Sequence, residues 1–188
     1  VLYSKALFRK AVIMKTQTKT RFIAYTAVLL ALLIALQFAT KAFGQIVTGS
    51  CVNLILAVAA LCVGPWSGLI IALLSPFFAF LLGIGTPFIQ IVPLIAVGNA
   101  VYVLLISFLC KKLAFRYGKL AGVCLAALCK FVTLWLLIVK IALPAMGLPE
   151  QKLAALSASF SLPQLATALI GGLLALLISD RIIKASAN

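Results

Sequence analysis

Two lysines, Lys130 and Lys140, interrupt an otherwise apolar stretch of the chain, and no other residues point as strongly to chemistry. On a helix turning 100° per residue, Lys130, Thr133, Leu137 and Lys140 fall within a sector of about 80°. One face of that segment is therefore expected to be cationic. If the segment crosses a bilayer, Lys130 lies near its centre and Lys140 roughly 15 Å further along. An ammonium at that depth costs a few kcal/mol unless it faces a bundle interior or a water-filled cavity. Each lysine has two readings. Either could meet an anionic group or the carbonyl oxygens of a ligand. Otherwise Lys140 snorkels to the interface, and Lys130 packs against backbone carbonyls or a partner. Asn53, Gln90, Asn99 and Gln164 could add neutral hydrogen bonds at the same end, or equally could cap or join helices. These six residues are the candidate substrate-binding set.

What the chain lacks narrows the chemistry further. It has two acids, Glu150 and Asp180, and no histidine. Proton-driven carriers usually bury an acid or a histidine in the membrane, and neither acid falls inside an apolar stretch. There is no GxxxxGK[ST] phosphate loop, so ATP is not expected to be bound and hydrolysed in that way. The five cysteines, Cys51, Cys62, Cys110, Cys124 and Cys129, form no CxxC pair, and they read as small buried hydrophobes rather than metal ligands. No catalytic residue, metal or cofactor is expected, and an enzyme is not the reading.

The elements that must position these residues are apolar and long. Between residues 22 and 184 there are six stretches of about 17 to 25 mostly apolar residues, each able to span a hydrocarbon core of about 30 Å. With 65% hydrophobic and 10% charged residues, the chain is far from the soluble average of about 25% charged. The expected fold class is an all-α membrane protein of six transmembrane helices. The net charge of +14 would suggest nucleic acid in a soluble protein, but the basic residues follow the membrane instead. Lys5, Arg9, Lys10, Lys15, Lys19 and Arg21 precede the first stretch. Lys111, Lys112, Arg116 and Lys119 lie between the fourth and fifth, and Arg181 and Lys184 at the end. Basic loops stay cytoplasmic, so both termini are expected inside, and no nucleic-acid partner is expected. The expected organisation is a basic cytoplasmic segment 1–21, a transmembrane substrate-binding domain 22–184 and a cytoplasmic tail 185–188. Met14 reads as a natural start, with residues 1–13 an upstream extension or a short interfacial helix carrying Leu7, Phe8, Val12 and Ile13.

The connections carry the expected punctuation. Gly64-Pro65-Trp66 reads as a tight cytoplasmic turn, with glycine ending one helix and proline opening the next. Ser75-Pro76 is expected to break the third helix. Residues 41–50, 83–90 and 144–152 read as outward connections, the last continuing as a short amphipathic turn to Ser159. In the first apolar stretch, Ala27, Ala31 and Ala35, with Ala24 beside them, form a column along one helix face. Small residues at this spacing let a second helix approach closely in lipid.

Six helices with both ends inside, the AxxxAxxxA column, the GPWSG turn and the absence of energy-coupling residues together resemble the S components of energy-coupling factor (ECF) vitamin transporters. The resemblance covers the chain from Met14. It implies an S-component-like bundle in a bacterial cell membrane that captures a vitamin or related micronutrient from outside. It also implies partners: a transmembrane coupling subunit, against which Ala27, Ala31 and Ala35 pack, and two ABC ATPases. By position it brings Asn99, Lys140 and Gln164 to the substrate site. The alternative is a self-sufficient carrier or channel not coupled to ATP, which broken helices could serve through backbone carbonyls.

Overall fold

In the computed structural model, residues 2–113 and 117–187 are described, with side chains described from Lys19 onward except those of Asp180 and of residues 183–187. The side chains of Lys5, Arg9, Lys10, Lys15, Leu7, Phe8, Val12, Ile13 and Lys184, together with Arg116, lie outside the described residues.

The described residues are helical, joined by turns. Helix α1 is Leu2–Thr40; a 3-10 turn, Lys41–Phe43, leads into α2, Gly44–Val58, which widens into a π turn at Ala59–Val63. Helix α3 is Pro65–Leu81, α4 is Val92–Lys112 and α5 is Gly118–Leu134, continued by a π-helical segment Trp135–Ala142 and a short α6, Leu143–Ala145. Helices α7, Glu150–Ser159, and α8, Leu162–Ala187, complete the chain.

Among the described residues, four stretches are long and apolar enough to cross a membrane: Lys19–Val63, Val92–Lys112, Gly118–Ala145 and Glu150–Ser179. The first, at 45 residues, would be about 65 Å long if straight, twice a bilayer core. It is folded back on itself instead. Gly44 adopts φ +82, which favours glycine. Across the turn the Thr48 hydroxyl donates to the Thr40 carbonyl at 2.9 Å, and Thr26, about four turns back along α1, donates to Ser67 at the start of α3 at 2.8 Å. These two bonds place α1 antiparallel to α2 and mark the two ends of the bundle.

The predicted turn at Gly64-Pro65 is present: Gly64 takes φ +130 and Pro65 opens α3. The expected break at Ser75-Pro76 is not. Pro76 lies inside a continuous α3 with both residues buried, as membrane helices tolerate proline where packing surrounds it.

The distribution of side chains is that of a protein in lipid. Large apolar residues such as Val28, Phe38, Leu104, Phe108, Leu136 and Leu177 are exposed, whereas Thr26, Gln37, Asn53, Ser67, Ser75, Asn99, Lys130 and Thr167 are buried. A soluble fold arranges these classes the other way. The main core gathers Leu33, Leu56, Ile71, Tyr102, Val103, Ile106 and Val123. A smaller one, Ile91, Leu134, Ile138, Leu143 and Phe160, sits at the end carrying the turns 41–44, 82–91 and 146–161.

Helices α2 and α8 approach most closely where Gly171 lies. A Cβ at that position would stand 2.6 Å from the Leu54 nitrogen and from the Ser50 carbonyl oxygen. A Cβ at Gly49, facing α8 from the other side, would have atoms of the Thr167 side chain as its nearest neighbours, the closest at 3.0 Å. Backbone cannot yield as a methyl can. Gly171→Ala is expected to destabilise the purified protein by about 1–3 kcal/mol, and Gly49→Ala by less. Thermal unfolding in detergent checks the order, and the reverse order would mean that the α2–α8 contact is not the tight one.

Candidate functional site

The end of the bundle carrying those three turns encloses a cavity of about 560 Å³, within the range of about 300–1,000 Å³ usual for small-molecule sites. Exposed residues Lys41, Gln45 and Gly85 line its rim, and Lys130 lines its floor.

Lys130 is only 2% exposed. Its Nζ donates to Asn53 Oδ1 at 2.5 Å and to Asn99 Oδ1 at 2.7 Å, and it lies 5.3 Å from the centroid of the Tyr102 ring. Helices α2, α4 and α5 thereby meet on one ammonium. The network continues into α8: Asn53 Nδ2 donates to Thr167 Oγ1 at 3.2 Å and to the Gly49 carbonyl at 2.9 Å, and the Tyr102 hydroxyl donates to the Ala168 carbonyl at 2.7 Å. The Asn53 amide can face only one way. Turned over, it would aim its NH2 at an ammonium and its oxygen at a carbonyl.

Close packing supports this geometry. A Cβ at Gly98 would fall 2.5 Å from Leu134 Cδ2, so α4 can sit against α5 only with glycine beside Asn99. The π-helical continuation of α5 has the opposite effect on Lys140. A helix bonded i to i+5 turns roughly 20° less per residue than an α-helix. Over the residues between Leu134 and Lys140 this accumulates to about 100°. Lys140 accordingly leaves the face of Lys130, is exposed, and lies 4.7 Å from the Trp135 ring centroid. Regular α-helical spacing carried no sign of that rotation.

Of the six candidate residues, Lys130, Asn99, Asn53 and Gln164 line the cavity. Lys140 and Gln90 are exposed and lie outside it. At the rim, Gln164 Nε2 and Gln45 Nε2 both donate to the Ser159 carbonyl, at 3.3 and 2.6 Å, tying the start of α2 and of α8 to the end of α7. Ala27, Ala31 and Ala35 are exposed on the outer face of α1, away from the buried Thr26, Leu33 and Gln37.

Among the lining residues that the candidate set left out are Gln37 and Ser75. Both are buried, and Gln37 Oε1 and Ser75 Oγ have no hydrogen-bond partner. A signal for Gln37 existed: at eleven residues from Thr26, it returns to within about 20° of the same helix face. Ser75 was absorbed into the expected break at Pro76.

The network predicts where stability resides. Asn53→Leu removes an acceptor from Lys130 and is expected to destabilise by about 1–3 kcal/mol. Lys140→Met touches no network and is expected to stay within about 0.5 kcal/mol. Equal unfolding temperatures for the two variants would show that the lysine cluster does not hold the helices together.

The family described as ECF transporter, substrate-specific component, matches the chain over residues 21–183. No curated protein and no solved structure matches it.

Proposed function

This chain belongs to the substrate-specific components of ECF transporters, and on that premise we propose that it captures a vitamin-like micronutrient in the cavity above Lys130. The reading continues that a separate transmembrane coupling subunit and two ABC ATPases complete the import. The observation that carries it is the cavity itself, roofed by turns and floored by a polar cluster, in a multi-pass membrane protein of this family.

Orientation follows from charge. Lys111, Lys119 and Ser179 line a small recess together, at the end of the bundle opposite the cavity; Lys112 ends α4, Lys19 and Arg21 precede Thr26 on α1, and Arg181 follows Ser179 on α8. Basic residues concentrate on the cytoplasmic side. Six spans with both termini inside would therefore open the cavity to the exterior of a bacterial plasma membrane. On this reading residues 22–184 form one substrate-binding domain between the basic segment 1–21 and a cytoplasmic tail 185–188. Lys130, Asn99, Asn53 and Gln164 face the ligand, while Lys140 and Gln90 do not.

Energy must come from a partner, because the sequence has no phosphate loop. The exposed column Ala27, Ala31 and Ala35 supports a docking face on α1. It offers a flat strip on which a second helix can approach closely, and such packing drives association in lipid, where burial from water cannot. The family resemblance assigns that strip to the coupling subunit.

Two measurements test the reading. Affinity purification from the native membrane is expected to recover two ATPases with the chain. Ala31→Trp is expected to reduce uptake by the assembled transporter at least tenfold, with binding to the isolated chain changed less than about twofold, since the column faces away from the cavity. Uptake by the chain alone in liposomes, without nucleotide, would instead establish the self-sufficient carrier.

A further inference from the structure

Resting on the function proposed above, we infer that the substrate is a small monocarboxylate whose carboxylate approaches Lys130, with its other polar group received by Gln37 and Ser75.

The argument begins with charge balance. Two of the three N–H donors of Lys130 are used, by Asn53 Oδ1 and Asn99 Oδ1, and the Tyr102 ring lies alongside. These neighbours solvate a cation but carry no net negative charge. The residues lining the cavity include a second cation, Lys41 at the rim, and no carboxylate. A buried charge left without a counter-charge is costly, so an entering anion gains an attraction that a neutral isostere does not.

The size of that charge selects the anion. Phosphate monoesters carry about −1.5 to −2 near neutral pH and present three acceptor oxygens. The floor offers one ammonium, with no arginine among the lining residues. One carboxylate matches one buried lysine, because Lys41 at the rim is exposed and its charge is screened by water. Val52, Ile95, Phe80 and Phe160 add apolar walls, which suit a carbon skeleton and disfavour a second charge.

The remaining chemistry lies at Gln37 and Ser75, on α1 and α3. Both line the cavity, are at least nine-tenths buried and hold a polar atom with no partner. Native interiors rarely leave such atoms unsatisfied. A hydroxyl, amide or ureido group on the ligand would satisfy them, and a plain hydrocarbon acid would not.

The test uses matched acid and neutral probes on the purified full chain by isothermal titration: pantothenate with panthenol, and biotin with biotinamide. At least one acid is expected to bind ten times or more tighter than its neutral partner. Asn99→Asp places a carboxylate beside Lys130 at nearly unchanged volume, and is expected to shrink that preference to within about threefold. Lys130→Gln, which keeps a donor but removes the charge, should do the same if it folds. Gln37→Leu is expected to weaken the acid about tenfold without lowering the unfolding temperature of the ligand-free chain.

The carboxylate assignment is overturned if the neutral member binds equally well, if no acid binds, or if the preference survives in Asn99→Asp. Unchanged affinity in Gln37→Leu removes that residue from the site. Neutral-only binding by a chain that still recovers its ATPases would sink this inference and leave the importer reading standing. Acid-selective binding without any ATPase would do the reverse.

Discussion

One buried ammonium organises this bundle. Lipid offers no water to solvate Lys130, so protein oxygens must come to it, and Asn53 on α2 and Asn99 on α4 supply them. The requirement reaches further than the two bonds. Asn53 is oriented by Thr167 on α8 and by the Gly49 carbonyl, and α8 can approach only because Gly171 leaves room for the α2 backbone. On the other side, Gly98 admits Leu134 and brings α4 against α5. Small residues and polar residues thus solve one problem together: the glycines set the helix spacing at which the amides reach the lysine.

The same constraint explains what was legible in the sequence. A lysine in the middle of an apolar helix is costly enough to stand out, and this identified Lys130. The amides Asn53 and Asn99 were legible only as ligand contacts or helix joints, and their pairing with Lys130 is seen in the structure. The helical class and the hairpin turns at Gly64 and Gly83–Gln90 followed from apolar length and from glycine and proline placement. What remained hidden was local departure from regular geometry. The π-helical stretch Trp135–Ala142 is composed of ordinary apolar residues, so nothing in its spelling announces that Lys140 will turn away from Lys130. Pro76 shows the converse. Its chemistry predicted a break that packing overrode, and Ser75 was misplaced with it.

Burial of polar groups is arranged in depth rather than scattered. The rim is closed by neutral amides, Gln45 and Gln164, that share one carbonyl of Ser159, whereas the floor is charged and fully enclosed. Hydrogen bonds at the rim exchange readily with water, since their partners are partly exposed. Those at the floor do not, because losing one would strand a charge. The division between an exposed amide rim and an enclosed charged floor follows from where water can reach.

Helix α1 joins the two surfaces that the rest of the molecule keeps apart. Gln37 lines the cavity while Ala35, two residues earlier, is exposed on the outer face with Ala31 and Ala27. Residues two apart on a helix point about 200° away from one another, so a single turn suffices to carry both roles. Thr48 ties the last turn of α1 through the Thr40 carbonyl and Ser67 ties its middle through Thr26, and Leu33 sits between them in the core with no exposed surface. The cavity wall and the alanine strip are thus opposite faces of one helix, and the buried residues between them hold that helix against the bundle.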